Sequence, residues 1–212
     1  MITTKDQESL LLAIANKLTK KIEVFAIGGT AMMFLGFKDS TLDIDLVFSN
    51  ENDRREFILA AKSLGYEWQD PCKVYGTREN RPIMLGRLNE RFNLFLSNVI
   101  SFVFSDKMKE RATDTHQFGD NLIVRIANFH DIILMKCATD RIKDKDDIRT
   151  ILENSETDWD IIISEIKNQF ELGEHKAVFL LCGELSDMKK TMKMDIPDRV
   201  IKSTLSLLGY KE

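Results

Sequence analysis

The run Ile22-Glu23-Val24-Phe25-Ala26-Ile27 is rich in β-branched and aromatic residues and ends at Gly28-Gly29. Thr30-Ala31-Met32-Met33-Phe34-Leu35 follows at once and is stopped by Gly36. That order predicts a strand, a glycine turn and a short helix. Next, Leu42-Asp43-Ile44-Asp45-Leu46-Val47-Phe48 alternates apolar and acidic side chains, which is the pattern of a strand. Residues two apart in a strand share a face. Leu42, Ile44 and Leu46 are therefore expected in a core, with Asp43 and Asp45 together on the other side.

The rest of the chain is consistent with a sheet built around those two strands. Helical spacing opens the chain over 6–18 and recurs over 54–64; a hairpin is expected from 83–88 and 91–96, with Asn89-Glu90 at its turn, and a short strand at 122–126. From Asn128 onward the periodicity is helical, over 129–140, 145–153, 158–171, 175–190 and 197–208. The fold class is thus α+β, with some α/β character: a mixed sheet flanked by helices over 1–127, and a helical C-terminal region over 128–212 packed on it. Phe92, Phe95, Phe102 and Phe104 belong to its core by their alternation.

Composition excludes several function classes. With 212 residues, 30 Lys+Arg and 34 Asp+Glu, the net charge is −4, so bulk electrostatic binding of nucleic acid is not supported. Only the stretch from Lys73 to Arg91 is locally basic, with Arg78, Arg81 and Arg87 between them. It reads as a phosphate-facing segment or as a solvated loop. No apolar run is long enough to span a membrane and the N-terminus lacks a signal-peptide core, so a cytoplasmic protein without a membrane partner is expected. Three separated cysteines (Cys72, Cys137, Cys182) and three separated histidines (His116, His130, His175) argue against a disulfide frame or a zinc site.

Two carboxylates as close as Asp43 and Asp45 repel unless a positive group lies between them, and a divalent cation answers that need. Gly28, Gly29 and Thr30 open a helix, where backbone N–H groups receive a phosphate, and the Thr30 hydroxyl is a further candidate donor. A phosphate seat followed closely by a cation seat suits nucleoside triphosphate chemistry.

Phe25-Ala26-Ile27-Gly28-Gly29-Thr30-Ala31, followed by Thr41-Leu42-Asp43-Ile44-Asp45-Leu46, resembles the glycine-pair and DxD signature of the nucleotidyltransferase fold, the DNA polymerase β-like superfamily. The chain is similar in particular to a small prokaryotic branch that includes AbiEii-like toxins. The likeness continues through the run from His130 to Ile148, Asp140 included, with Lys136, then Arg141, then a closing acidic segment that holds Asp144 and Asp147. The resemblance implies a minimal nucleotidyltransferase sheet with Mg²⁺ (or Mn²⁺) on Asp43 and Asp45. It also implies an NTP over Gly28, Gly29 and Thr30, and Lys136 and Arg141 toward its phosphates. Transfer would go to a hydroxyl of tRNA-like RNA or of protein, and a toxin with a cognate antitoxin is the implied setting.

One position departs from that pattern. Members of the superfamily commonly carry a third carboxylate on a neighbouring strand, and the matching place in Arg91-Phe92-Asn93-Leu94-Phe95-Leu96 is held by Asn93. An amide supplies neither charge nor a basic site. Three alternatives stay open: a single-metal transferase relying on Lys136 with Asp144 or Asp147, an enzyme that recruits Glu90 or Asp106, or a nucleotide- or partner-binding module that has lost turnover.

Overall fold

The computed structural model describes residues 1–139 and 141–210. Asp140, inside the run that carries the resemblance, lies outside the described residues. A mixed sheet forms the centre, in the order β10(Thr115–Phe118), β11(Leu122–Ile126), β2(Ile22–Ala26), β4(Ile44–Phe48), β7(Glu90–Leu96), β6(Ile83–Arg87) and β5(Glu67–Gln69). Strand β2 runs parallel to β11 and antiparallel to β4, while β4 runs parallel to β7. Two short strands, β8(Asn98–Val99) and β9(Phe102–Val103), extend β7, and β1(Ile2–Thr3) pairs separately with β3(Ser40–Thr41).

The helices are α1(Thr4–Ala15), α2(Gly28–Phe34), α3(Glu51–Ser63), α4(Cys72–Tyr75) and α5(Asp106–Arg111), then α6(Phe129–Cys137), α7(Ile142–Glu153), α8(Trp159–Glu171), α9(His175–Thr191) and α10(Asp198–Leu207). The fold class is the expected α+β, with a helical region α6–α10 at the C-terminal end. None of the described helices is long and apolar enough to cross a membrane. Cys137 and Cys182 are buried thiols and Cys72 is exposed.

Alternation along β4 and β7 divides the sheet into two faces and so positions the site. Ile44, Leu46, Phe92 and Leu94 are fully buried. Phe57 of α3 packs edge-on against Phe48 and Phe92, with ring centroids at 5.5 and 5.3 Å. The intervening residues Asp45, Arg91, Asn93 and Phe95 therefore share the opposite face. Leu42 departs from expectation: it precedes the strand and is 54 % exposed, so only Ile44 and Leu46 of the anticipated apolar set enter the core.

Helix α6 is buried from His130 to Cys137, as a helix apolar nearly all round must be. It packs against α2 on one side and against α7, α8 and α9 on the others, and one continuous apolar cluster joins sheet and C-terminal helices.

A buried ionic knot ties these parts together. Arg111 of α5 donates from Nη2 to Asp131 Oδ1 at 2.6 Å and also to Glu165, and both carboxylates are fully buried. Ser105 Oγ, Asn168 Nδ2 and Gln169 Nε2 donate to the other oxygen of Glu165. Burial and the nearby Glu165 charge raise Asp131 to about 6 in spite of Arg111. Removing one partner leaves uncompensated buried charge, which costs about 3–5 kcal/mol. Arg111→Met should therefore lower unfolding free energy by that order. The loss should be greater at pH 8 than at pH 5, because protonation relieves the abandoned carboxylates; denaturant melts at both values measure it.

Candidate functional site

The site begins with the turn between β2 and α2. Gly28 has φ +55°, a left-handed conformation that favours glycine, and a Cβ built there would stand 3.0 Å from Asp45 Oδ2. A Cβ on Gly29 would lie 2.5 Å from Thr41 Oγ1. Gly28 thus lets the main chain run directly beside Asp45, and Gly29 lets it run beside Thr41. The first-turn N–H groups of α2 have no carbonyl four residues back within the helix.

Thr30 does something other than expected. It is fully buried and does not line the cavity. Its hydroxyl accepts from the Asp45 N–H at 2.8 Å and donates to the Asp43 carbonyl at 3.4 Å. Ile27 N–H also donates to the Asp45 carbonyl at 3.1 Å. The side chain expected to greet phosphate is engaged in holding the acidic segment against the glycine turn.

Asp43 and Asp45 line a cavity of about 340 Å³ together with Gly28, Gly29, Lys136, Arg141, Asp144 and Asp147. Parallel pairing sets Asp45 directly opposite Asn93, and Asn93 Nδ2 donates to Asp45 Oδ1 at 2.8 Å. Asn93 Oδ1 is buried without a partner. Two residues earlier on β7, Arg91 forms an ion pair with Asp43. Burial first, and the Asp43 charge second, raise Asp45 to about 6, against the hydrogen bond from Asn93 and the charges of Arg141 and Lys136.

The far wall comes from the end of α6 and the start of α7. Lys136 is only 6 % exposed, and its ammonium donates to Asp144 Oδ1 at 2.8 Å and to Asp147 Oδ2 at 2.6 Å. Lys38 Nζ donates to the other oxygen of Asp147 at 2.7 Å. Arg141 Nε and Thr139 Oγ1 donate to Asp144 Oδ2. Burial alone would raise both acids, but Lys136 and these further donors hold Asp144 and Asp147 below the ordinary carboxylate range.

Six basic side chains and four acidic ones line the cavity, so the site is positive within an acidic protein. Arg78 and Lys143 belong to that lining and are exposed, while Tyr75 stands edge-on to Phe95. Burial, then the charges of Asp45 and Asp43, push the Tyr75 hydroxyl above its usual value, so it stays protonated. Of the basic stretch, Arg78 and Arg91 face the cavity, whereas Arg87 pairs with Glu90 and Arg81 donates to the Gly76 carbonyl. Recruitment of Glu90 or Asp106 is contradicted. Glu90 accepts from Tyr66 and Arg87, Asp106 pairs with Lys109, and neither lines the cavity.

Among the described residues, no three His, Cys, Asp or Glu side chains cluster as a metal centre. Asp43 and Asp45 still present a pair of carboxylates, hard oxygen donors, to the cavity. Such a set fits Mg²⁺, which takes one or two carboxylates and completes its shell with substrate phosphate and water. Sequence reasoning missed Lys38 and Tyr75, and named Arg91 only as one end of a basic stretch, without its pairing to Asp43. For Arg91 the signal was the register: it follows from placing Asn93 beside Asp45 and counting back two.

The sequence model of a family described as "Nucleotidyltransferase of unknown function (DUF6036)" matches residues 6–193. Among solved structures, ANT(2'')-Ia in complex with adenylyl-2''-tobramycin is 16 % identical, with a TM-score of 0.44 over 85 % of this chain and 97 % of that one. No curated protein matches in sequence.

The raised Asp45 makes a stability prediction with a definite sign. Its carboxyl is held at about 6 against an ordinary 3.8, so the cost of burying its charge is absent in acid and fully present above about pH 6. Asp45→Asn should therefore be more stable than the parent at pH 7.5, by about 2 kcal/mol, with the advantage vanishing near pH 4. Thermal melts across that range, without added metal, measure it.

Proposed function

The chain belongs to the nucleotidyltransferase family described as DUF6036, and on that premise we propose that it moves a nucleotidyl group from an NTP to an acceptor hydroxyl, with Mg²⁺ (or Mn²⁺) held by Asp43 and Asp45. One observation carries this reading: the glycine turn and both aspartates converge on one cavity whose lining is rich in cations. The metal, when bound, supplies positive charge at the phosphate oxygens as the α-phosphorus is attacked.

The chain's own groups account for binding and orientation. Gly28 and Gly29 let triphosphate oxygens approach main-chain N–H groups next to the carboxylates. Arg91, Arg78 and Lys143 draw the polyanion in. Lys136 lines the cavity with its charge shared between Asp144 and Asp147; it braces the wall that presents Arg141. Tyr75 offers a neutral hydroxyl donor and an aromatic face. The acceptor hydroxyl, on tRNA-like RNA or on protein, and a toxin role with a cognate antitoxin follow from the family resemblance of the glycine-pair, DxD and downstream basic-acidic segments.

Asn93 favours a second reading, a nucleotide-binding module without turnover, since its amide is spent on Asp45 and adds no base. One experiment separates the two. Each labelled NTP is incubated with Mg²⁺ and either total tRNA or total protein. Transfer of label to one of these pools, reduced at least about a hundredfold by Asp43→Ala, supports the enzyme. Saturable binding of an NTP with no transfer supports the module, and absence of both binding and transfer overturns each.

A further inference from the structure

We propose that Arg91 stands in for a second divalent cation, so that this site works with one metal ion and one guanidinium; the inference rests on the nucleotidyl-transfer reading above. It starts from what β7 presents to β4. In parallel register the pair Asp43 and Asp45 is met by Arg91 and Asn93, two anions by one cation and one neutral amide. A site with two metal ions uses its carboxylates to clamp both, with the attacking and leaving oxygens between them. Here the carboxylate that such a clamp would need is replaced by Asn93, and Asp43 already carries a positive partner.

The charge balance agrees. Asp43, Asp45 and Arg91 sum to a single negative charge, which one divalent cation reverses to a single positive one. A second cation would raise that to three positive charges, and the remaining cavity carboxylates, Asp144 and Asp147, are already paired with Lys136, Arg141 and Lys38. Arg91 and Asp43 are only 25 % and 17 % exposed, so their pairing is screened less than one at the surface. A guanidinium also recognises phosphate oxygens through a planar fork of donors.

An unpartnered donor points the same way. Arg91 Nε and Asn93 Oδ1 are both buried and have no hydrogen-bond partner in the protein. They are one donor and one acceptor on same-face positions of β7. Of the two residues only Arg91 lines the cavity, where a phosphate oxygen beside Asp43 would complete its Nε; Asn93 is fully buried and outside the lining.

The number of bound ions decides the matter. The full chain would be titrated with Mn²⁺ in the presence of α,β-methylene ATP and its GTP, CTP and UTP counterparts, each in turn, with free Mn²⁺ counted by electron paramagnetic resonance. One nucleotide-dependent Mn²⁺ per chain is expected. Arg91→Gln should weaken binding of the favoured analogue at least tenfold, Arg91→Lys should retain most of it, and the double variant Arg91→Gln, Asn93→Asp should take two Mn²⁺. Two ions in the parent chain, an unchanged affinity in Arg91→Gln, or a single ion in the double variant would overturn the proposal while leaving nucleotide binding intact. A parent chain that binds none of the analogues removes the underlying reading as well. Thermal melts identify any variant that fails to fold, and the count on the parent chain stands without the variants.

Discussion

The hydroxyl of Thr30 is the joint on which the site turns. It accepts from the amide of one aspartate and donates to the carbonyl of the other, while sitting in the first turn of α2. Through those two bonds the glycine turn and the acidic segment become one rigid piece. Asp43 lies just outside β4 and has no ladder of its own to hold it. The positions of Gly28 and Gly29 follow from the same joint, since the tight approach to Asp45 and Thr41 leaves no room for a Cβ. A buried hydroxyl with both bonds made costs little to bury. A methyl in its place would leave the Asp45 amide without its acceptor.

Around that joint the molecule handles charge by pairing it, acid by acid. Asp43 is met by Arg91, Asp144 by Lys136 and Arg141, and Asp147 by Lys136 and Lys38. Asp45 is the exception, because its neighbour across the sheet is an amide and not a cation. Its proton affinity rises accordingly. An ionisable group left without a compensating cation in a cavity is a cost to stability, and such costs gather where a ligand supplies the missing charge. The contrast with Asp131 is instructive: that acid is raised to a similar degree, yet Arg111 and the bonded shell around Glu165 place it in a structural knot outside the cavity lining.

Much of this was legible in the residues. The strand, glycine turn and helix of 22–34, the DxD strand, the 83–96 hairpin, the strand at 122–126 and the five C-terminal helices all follow from periodicity and glycine placement. Asn93 falls opposite Asp45, as the strand comparison required. Other features were hidden for physical reasons. Strand β10 reads Thr-His-Gln-Phe and is an edge with little apolar signal. The hairpin turn falls one residue early because Leu88, with φ +54° and 94 % exposed, takes a conformation that its side chain does not advertise. Leu42 looks like core by alternation, but the strand starts after it. Thr30 carries the right atom for phosphate, and only the tertiary contact reveals that the atom is occupied.

Lys136 shows how far context revises the reading of a single residue. On a helix as apolar as Ile132 to Met135, a lysine is ordinarily a side chain that threads its ammonium out to water. Here the helix is enclosed by α2, α7, α8 and α9, so that route is closed, and two carboxylates from α7 meet the charge instead. The ammonium is divided between two carboxylates, although its charge still reaches Asp45. What it does is fix the α6–α7 turn, and with it the place of Arg141, whose side chain is 45 % exposed and lines the cavity while holding Asp144. The positive character of the site therefore belongs to its rim and to β7, from Arg78, Lys143, Arg141 and Arg91, while the interior lysine supplies the rigidity that keeps those charges aimed.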